Sequence, residues 1–378
     1  MRPGSPVLPL GSTPVDGVAI VGAPVSVGGS STTPGAHVVT NQAGTIGWSS
    51  LAITRAATSA QEFTWAGVTG TTFPAWPIAS TVAGRREPDV VRLAVTGETL
   101  LAYVSTTGQV RLAGLPPASI SWSANVAATN ASGGAAITST RAPSLVEVNG
   151  LIFMATTSGA NLIQIWRLGG ASATPIQNRT WMLQAFPVSQ TSGTRPTLSA
   201  MLNRDDFTGD TWRLGVTYTD TANNLWWWVT APAETGATFS FSVPGGAVAQ
   251  LWGGIGGGAT PVAPAMVWDS RSYVGTNRDL RVLREIGTTT SSRLRFAPFG
   301  RGPAPGRYTD YNDWFTVRWG LCASLELRNS VSPVQRNCGP QPVYPEPLAG
   351  GGMGLIIEPA WNDASLYPHL YTPRPAVE

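Results

Sequence analysis

The chain has 378 residues, with 43 glycines, 31 prolines and only 12% charged side chains, a composition that suits many short strands and tight turns and argues against a helical fold. Its net charge of +3 rests on arginine alone, with no lysine anywhere, so the dense basic stripe that phosphate tracking needs is missing and nucleic acid is not an expected partner. No apolar run reaches the ~18 residues that a spanning helix requires, so no membrane span is expected.

The opening "MRPGSPVLPLGS" lacks the apolar core of a signal peptide, so an exported protein is expected to carry this sequence in its mature form. Residues 1–30 read as an N-terminal arm, and "DGVAIVGAPVSV" (16–27) within it as a candidate closing strand. From there a repeat sets in. Prolines precede apolar, strand-like runs at Pro34, Pro88, Pro143, Pro196, Pro264 and Pro305, at intervals of 54, 55, 53, 68 and 41 residues.

Within four of these units a short strand, a turn and an alternating strand recur: "LLAYVSTTGQVRLAG" from Leu100, "LIFMATTSGANLIQIWRL" from Leu151, "WRLGVTYTDTANNLWWWVTA" from Trp212 and "SYVGTNRDLRVLREI" from Ser272. Period and turn chemistry make these β-hairpins. A self-similar unit of this size built from short strands is the signature of a propeller blade. The expected fold is therefore all-β, a β-propeller of six blades, with five as the alternative, each a four-stranded antiparallel sheet. The propeller is expected over 31–350, and 351–378 supplies a second candidate closing strand, "MGLIIEPAW" (353–361), and a tail.

Three indoles in a row, Trp226 to Trp228, fit such a fold, because a strand sends alternate residues to opposite faces and only a strand covered on both sides hides both sets. Packing between blades is the expected role of these residues and of Trp166, with sugar stacking by at least one of the three as the alternative. The only histidines, His37 and His369, come with no zinc or Ser-His pattern, so structural roles are expected for both. The glycine-rich stretches from Gly253 and Leu348 lack the strand–turn–helix setting of a phosphate loop and read as connectors.

Acidic residues cluster twice. Asp205, Asp206 and Asp210 share a Gly-containing turn ahead of a strand, suited to capping that turn or to holding Ca²⁺; no other cofactor is expected. "PGRYTDYNDWFTVRWG" gathers Arg307, Tyr308, Asp310, Tyr311, Asp313 and Trp314. That density of carboxylates, phenols and rings suits either a polar loop or a site in which Tyr308, Tyr311, Asp310 or Asp313 does acid, base or nucleophilic work beside Arg307 and Trp314. Cys322 and Cys338 lie sixteen residues apart in a loop-like segment and read as a disulfide, with two buried thiols as the alternative, which places the protein outside the cell or on its surface. Finally, Arg86, Arg141 and Arg195 each stand one or two residues before a unit-opening proline. Equivalent positions in successive blades share one end of the ring, so these guanidiniums are expected to converge, either to receive a carboxylate or to brace the turns.

The elements "REP" (86–88) and "RAP" (141–143), the blade spacing and "DDFTGDTW" (205–212) resemble the sialidase or neuraminidase superfamily, whose six-bladed propellers carry an Arg-Ile-Pro motif and Asp-boxes. The resemblance implies a carboxylate-binding role for Arg86 or Arg141, with Arg307, and a tyrosine nucleophile at Tyr308 or Tyr311. Three functions stay open: a lectin-like propeller that binds glycans, an exo-acting glycoside hydrolase, and a structural or protein-binding propeller. The first needs only pockets of aromatic and polar groups; the second needs a matched acid and nucleophile or base, and no such pair is identified. If the two cysteines are joined, alkylation of the unfolded, unreduced chain is expected to leave its mass unchanged, and two added alkyl groups would show free thiols.

Overall fold

In a computed structural model the described residues are 6–9, 17–26, 32–55, 63–72, 76–82, 84–93, 95–117, 119, 121–148, 150–169, 173–184, 192–205, 209–221, 225–229, 233–234, 249–252, 265–268, 280–287, 291–299, 315–316, 327–328, 341–343, 355–362 and 365–371. Their strands form six antiparallel sheets, and the one helical element among them is a single 3-10 turn at Ile176–Asn178.

A first short strand, β1 (Pro6–Pro9), is set aside for the last sheet. The first sheet is β2 (Gly17–Ser26), β3 (Thr32–Gln42), β4 (Thr45–Arg55) and β5 (Phe63–Thr72). The second is β6 (Asp89–Arg92), β7 (Thr99–Val104), β8 (Val110–Leu115) and β9 (Val126–Ala127). The third is β10 (Ser144–Val148), β11 (Leu151–Thr157), β12 (Ile163–Leu168) and β13 (Trp181–Gln184). The fourth holds β14 (Thr197–Asp205), β15 (Gly209–Thr219), β16 (Leu225–Val229), β17 (Ala233–Glu234) and β18 (Ala249–Trp252). The fifth holds β19 (Ala265–Trp268), β20 (Leu280–Gly287), β21 (Ser291–Phe299), β22 (Phe315–Thr316) and β23 (Leu327–Arg328). The last is β24 (Gln341–Val343), β25 (Leu355–Asn362) and β26 (Ser365–Tyr371), to which β1 adds the outer strand by pairing with β26.

The first strands of the sheets follow one another in a closed ring. β2 adjoins β6, β6 adjoins β10, and the succession runs through β14, β19 and β24 back to β2. Closure therefore comes from Pro6–Pro9. The two stretches expected to close the ring do other work: residues 17–26 are the inner strand of the first sheet and 355–362 the second strand of the last.

Strand period explains the core. β7 is buried at all six positions, and its alternate side chains enter different interiors. Leu100 and Ala102 join the cluster between the second and third sheets, while Leu101 and Tyr103 join the one between the first and second. β11 repeats this, with Ile152 and Met154 facing back and Phe153 and Ala155 facing the fourth sheet. β7 and β11 are thus covered on both faces, and truncating one side chain, as in Phe153→Ala, removes about 3–5 kcal/mol of stability.

Turn chemistry fixes the hairpins. In "STTGQ" Gly108 takes a φ of +83°, with its N–H on the Ser105 carbonyl. In "SGANL" Asn161 takes the same place at +60°, with its N–H on the Ser158 carbonyl, as one of the few side chains that tolerate the left-handed region. Three expected hairpins join second to third strands, β7–β8, β11–β12 and β15–β16. The fourth differs: β20 pairs back with β19, so that hairpin joins first to second strand, and the strand expected from Ser272 lies outside the described residues. Pro34 also departs from the expected repeat. Pro88, Pro143, Pro196 and Pro264 each precede an inner strand, whereas Pro34 lies within β3 opposite Pro24, a pair with no N–H to donate.

Trp226 in β16 packs half-buried on the third sheet's cluster and donates its indole N–H to Asp220 Oδ2 at 2.7 Å; the side chains of Trp227 and Trp228 lie outside the described residues. His37 in β3 is buried, shares a hydrogen bond between Nδ1 and Ser50 Oγ at 3.0 Å and meets the edge of Trp48, with ring centroids 5.5 Å apart. Burial, and then the charge of Arg92, hold its pKa down to about 4. The unfolded chain binds a proton that the folded ring refuses, so stability is expected to fall as pH drops from about 6.5 toward 4, by about 3 kcal/mol in all. Because Glu87 gains stability over the same range, the comparison is between variants: urea unfolding should show the parent losing about 3 kcal/mol relative to His37→Gln as the pH is lowered from about 6.5 to about 4.

Candidate functional site

The connectors that lead into β6, β10 and β14 are anchored alike. In each, one backbone N–H bonds to the hairpin turn of the preceding sheet and the next bonds to the end of the second strand of its own sheet. Ala79 and Ser80 donate to Gly44 and Val104, Ser139 and Thr140 to Gly108 and Thr157, and Ser192 and Gly193 to Asn161 and Thr219, all within 2.8–2.9 Å. A Cβ on Gly193 would lie 2.7 Å from the Asp220 carbonyl, so only glycine permits that approach. The first connector is longer, and the buried Asn41 ties it to the first sheet by donating through Nδ2 to the carbonyls of Ser80 (2.9 Å) and Arg86 (2.8 Å).

These connectors carry Arg86, Arg141 and Arg195, and the charges of all three act on Glu87. Their circumstances differ. Arg195 is buried and its guanidinium pairs with Asp89 Oδ2 at the head of β6, two sheets away. The same Asp89 oxygen accepts the Leu145 N–H at 2.7 Å, and Oδ1 accepts the Val90 N–H at 2.9 Å. One carboxylate so fastens the second, third and fourth sheets. Ser144 stands one sheet on at the equivalent place, its Oγ accepting the Leu198 N–H at 3.1 Å. Arg195 therefore braces the ring. Arg86 is buried, and Arg141 is half-buried with an Nε that has no hydrogen-bond partner.

Between them lies Glu87, a residue the sequence does not single out. Its side chain is 1% exposed, and beyond the weak pull of its own backbone N–H neither carboxylate oxygen has a hydrogen-bond partner among the described residues. Burial pushes its pKa up to about 7 against the opposing charges of Arg86, Arg195 and Arg141. Burial also raises Asp89, with Arg195 and the two backbone donors pulling the other way.

A second group of functional side chains gathers at the junction of the first and second sheets. Trp76 stacks on Tyr103, with centroids 6.3 Å apart and planes inclined by 6°, and Trp122 meets the face of the buried Trp48 at 6.0 Å and 79°. Trp76 and Trp122 are half-buried and Pro77 beside them is exposed. Arg111 donates through Nε to Asn125 Oδ1 at 2.6 Å and through its terminal nitrogen to the Asn125 carbonyl at 3.3 Å. The Tyr103 hydroxyl donates to the Pro77 carbonyl at 3.0 Å; burial pushes its pKa up to about 12, with Arg111 opposing. These indoles sit outside the alternating strands, in "PAWPI" and "SISWSAN", and that setting between turn-forming residues was the available signal.

The remaining expected site residues lie wholly or in part outside the described residues. Asp205 and Asp210 belong to facing strands of the β14–β15 hairpin, while Asp206 lies outside the described residues. No cluster of three or more metal-ligating side chains occurs among the described residues. Arg307, Tyr308, Asp310, Tyr311, Asp313, Trp314, Cys322 and Cys338 all lie outside them. No helix of the described residues is long and apolar enough to cross a membrane.

Neither a family model nor a curated protein sequence matches the chain. Among solved structures it is similar to a triple arginine-to-alanine variant of AofleA from Arthrobotrys oligospora, at 10% identity and a TM-score of 0.52 over 94% of this chain and 86% of that one. That likeness shows the fold alone. Weaker likenesses are to Aleuria aurantia lectin, described as a six-bladed β-propeller with a novel fucose recognition mode (10% identity, TM-score 0.47, 96% of both chains), and to Trypanosoma rangeli sialidase (12%, 0.40, 74% of this chain and 44% of that one). Neither carries an argument at that score.

Two substitutions separate bracing from titration. Arg195→Met leaves Asp89 buried and short of a partner and should cost about 3–5 kcal/mol in urea unfolding. Glu87 has a raised folded pKa, so its contribution is fully present below about 4.5 and is lost as pH rises through about 7. Glu87→Gln should therefore match the parent at pH 5 and exceed it by roughly 1–3 kcal/mol at pH 8.5.

Proposed function

We propose that the chain is a six-bladed β-propeller that binds glycans as a lectin-like module, with the aromatic shelf at the first sheet junction as a contact surface. The reading is carried by the pairing of half-buried indoles with a planar polar fork: Trp76 over Tyr103, Trp122, and Arg111 clamped by Asn125. A sugar ring offers a C–H face to an indole and a rim of hydroxyls to a guanidinium or amide, and a wall of aromatics with a few fixed polar groups suits it. A scaffold has no use for half-exposed tryptophans beside a fixed guanidinium. The hydrolase reading depends on Tyr308, Tyr311, Asp310 and Asp313, with an arginine of the other group, and stays second to binding. An extracellular or surface location, a Cys322–Cys338 bond and an optional Ca²⁺ at Asp205, Asp206 and Asp210 belong to the same proposal.

The test is an array of neutral, fucosylated and acidic glycans, scored for retained protein and for loss of terminal sugars. Retention without cleavage is expected, with Trp122→Ala and Arg111→Gln each weakening it at least tenfold, about 1.4 kcal/mol. Cleavage would make the protein a hydrolase, and retention indifferent to both substitutions would remove the shelf from the site.

A further inference from the structure

Arg85 and Arg141 come together where two connectors meet. Arg85 is half-buried and donates through Nε to the Thr140 carbonyl at 3.0 Å, across to the next connector. The Ala142 N–H returns a bond of 2.6 Å to the Gly84 carbonyl, so the connectors of the second and third sheets are laced together at this point. Gly84 holds a φ of +79°, and a Cβ there would lie 3.1 Å from an Arg141 terminal nitrogen; glycine lets that guanidinium lie against the backbone beside Arg85.

Neither side chain is neutralised. The ion pairs among the described residues are Arg195 with Asp89 and Arg179 with Glu98. Arg85 makes no hydrogen bond through its terminal nitrogens among the described residues, and Arg141 makes none through its guanidinium. Burial and then the like charge of Arg85 lower the Arg141 pKa, and only Glu87 opposes them. Two half-buried like charges, fixed by their backbones with forked donors unspent, fit a ligand that is anionic and accepts several hydrogen bonds at once.

We infer that Arg85 and Arg141 form an oxyanion site that takes a tetrahedral sulfate or phosphate group. The site uses none of the residues of the aromatic shelf and stands or falls apart from the glycan reading. The group can arrive as a free inorganic ion or as the charged substituent of an acidic glycan, and both present the same oxygens. The charged group that acts on Arg141 besides Arg85 is Glu87 on the Arg85 connector; Arg86 and Arg195 act on Glu87 in turn, and Arg195 is spent on Asp89 at the head of β6. Glu87 is the one whose charge changes near neutrality. Ionised, it repels an incoming anion; protonated, it leaves the guanidiniums unopposed.

Inorganic sulfate, titrated calorimetrically into the full chain at an ionic strength held constant with chloride, tests the site at pH 6 and pH 8. Saturable binding is expected, at least threefold tighter at pH 6, with Glu87→Gln abolishing the pH difference. Arg85→Gln and Arg141→Gln, each measured well below its own unfolding transition, should weaken binding at least tenfold, and Arg167→Gln, on β12, should leave it unchanged. If Arg141→Gln loses stability, Arg141→Lys, which keeps the charge and loses the fork, reads the same site. A sulfated oligosaccharide that displaces sulfate, where its desulfated form does not, identifies the glycan as the source; sulfate binding without such displacement identifies the free ion. No heat beyond that of chloride, or binding indifferent to both arginines, overturns the proposal.

Discussion

The Asp89 carboxylate is where the described part of the ring is fastened, and its position follows from an imbalance that any such arrangement faces. Inner strands of neighbouring sheets lie side by side without forming a ladder, so the first N–H groups of each are left to find acceptors elsewhere. Asp89 supplies one to Leu145 and Ser144 supplies one to Leu198, the same solution one sheet further on. A carboxylate does more than a hydroxyl, because its second set of lone pairs also receives Arg195 from beyond the intervening sheet. The charge would be unaffordable alone at that depth; with two backbone donors and a guanidinium it becomes a three-way joint.

Everything apolar is arranged around that joint by the two-residue period of the strands. Among the described residues, the apolar clusters of the first four sheets lie between neighbouring sheets. Leu100 and Leu101, adjacent in β7, belong to different interiors, and each interior is completed by the next sheet. A unit that buries nothing by itself must be repeated and then closed, and here β1 closes it by pairing with β26, joining the two ends of the chain in one sheet.

The polar groups that this frame carries fall into two sets. At the end of the ring, connectors of three sheets concentrate charge, with some of it spent on bracing and some held in reserve beside a carboxylate that titrates near neutrality. At the first junction, indoles that exceed the depth of the interior emerge half-covered beside Arg111 and Asn125. Apart from Arg111 on β8, both sets sit on connectors and turns, whose backbones are tied to the neighbouring sheets by hydrogen bonds.

Local chemistry sets what the sequence by itself determined: strands from alternation, hairpins from Gly108 and Asn161, and connectors from the prolines before β6, β10, β14 and β19, because each depends only on residues a few positions apart. The repeat also puts Arg86, Arg141 and Arg195 on equivalent connectors, where each acts on Glu87. What an arginine does once there is decided by distant partners. Arg195 is committed to a carboxylate 106 positions away, Glu87 is stranded without a donor, and Arg85 takes the place beside Arg141 that spacing alone would give to Arg86 or Arg195. Pro34 falls in the middle of a strand for the same reason. Its local pattern matches the other prolines, but pairing with Pro24 and closure by Pro6–Pro9 shift the first sheet forward in the chain, and only the tertiary structure fixes which strand stands innermost.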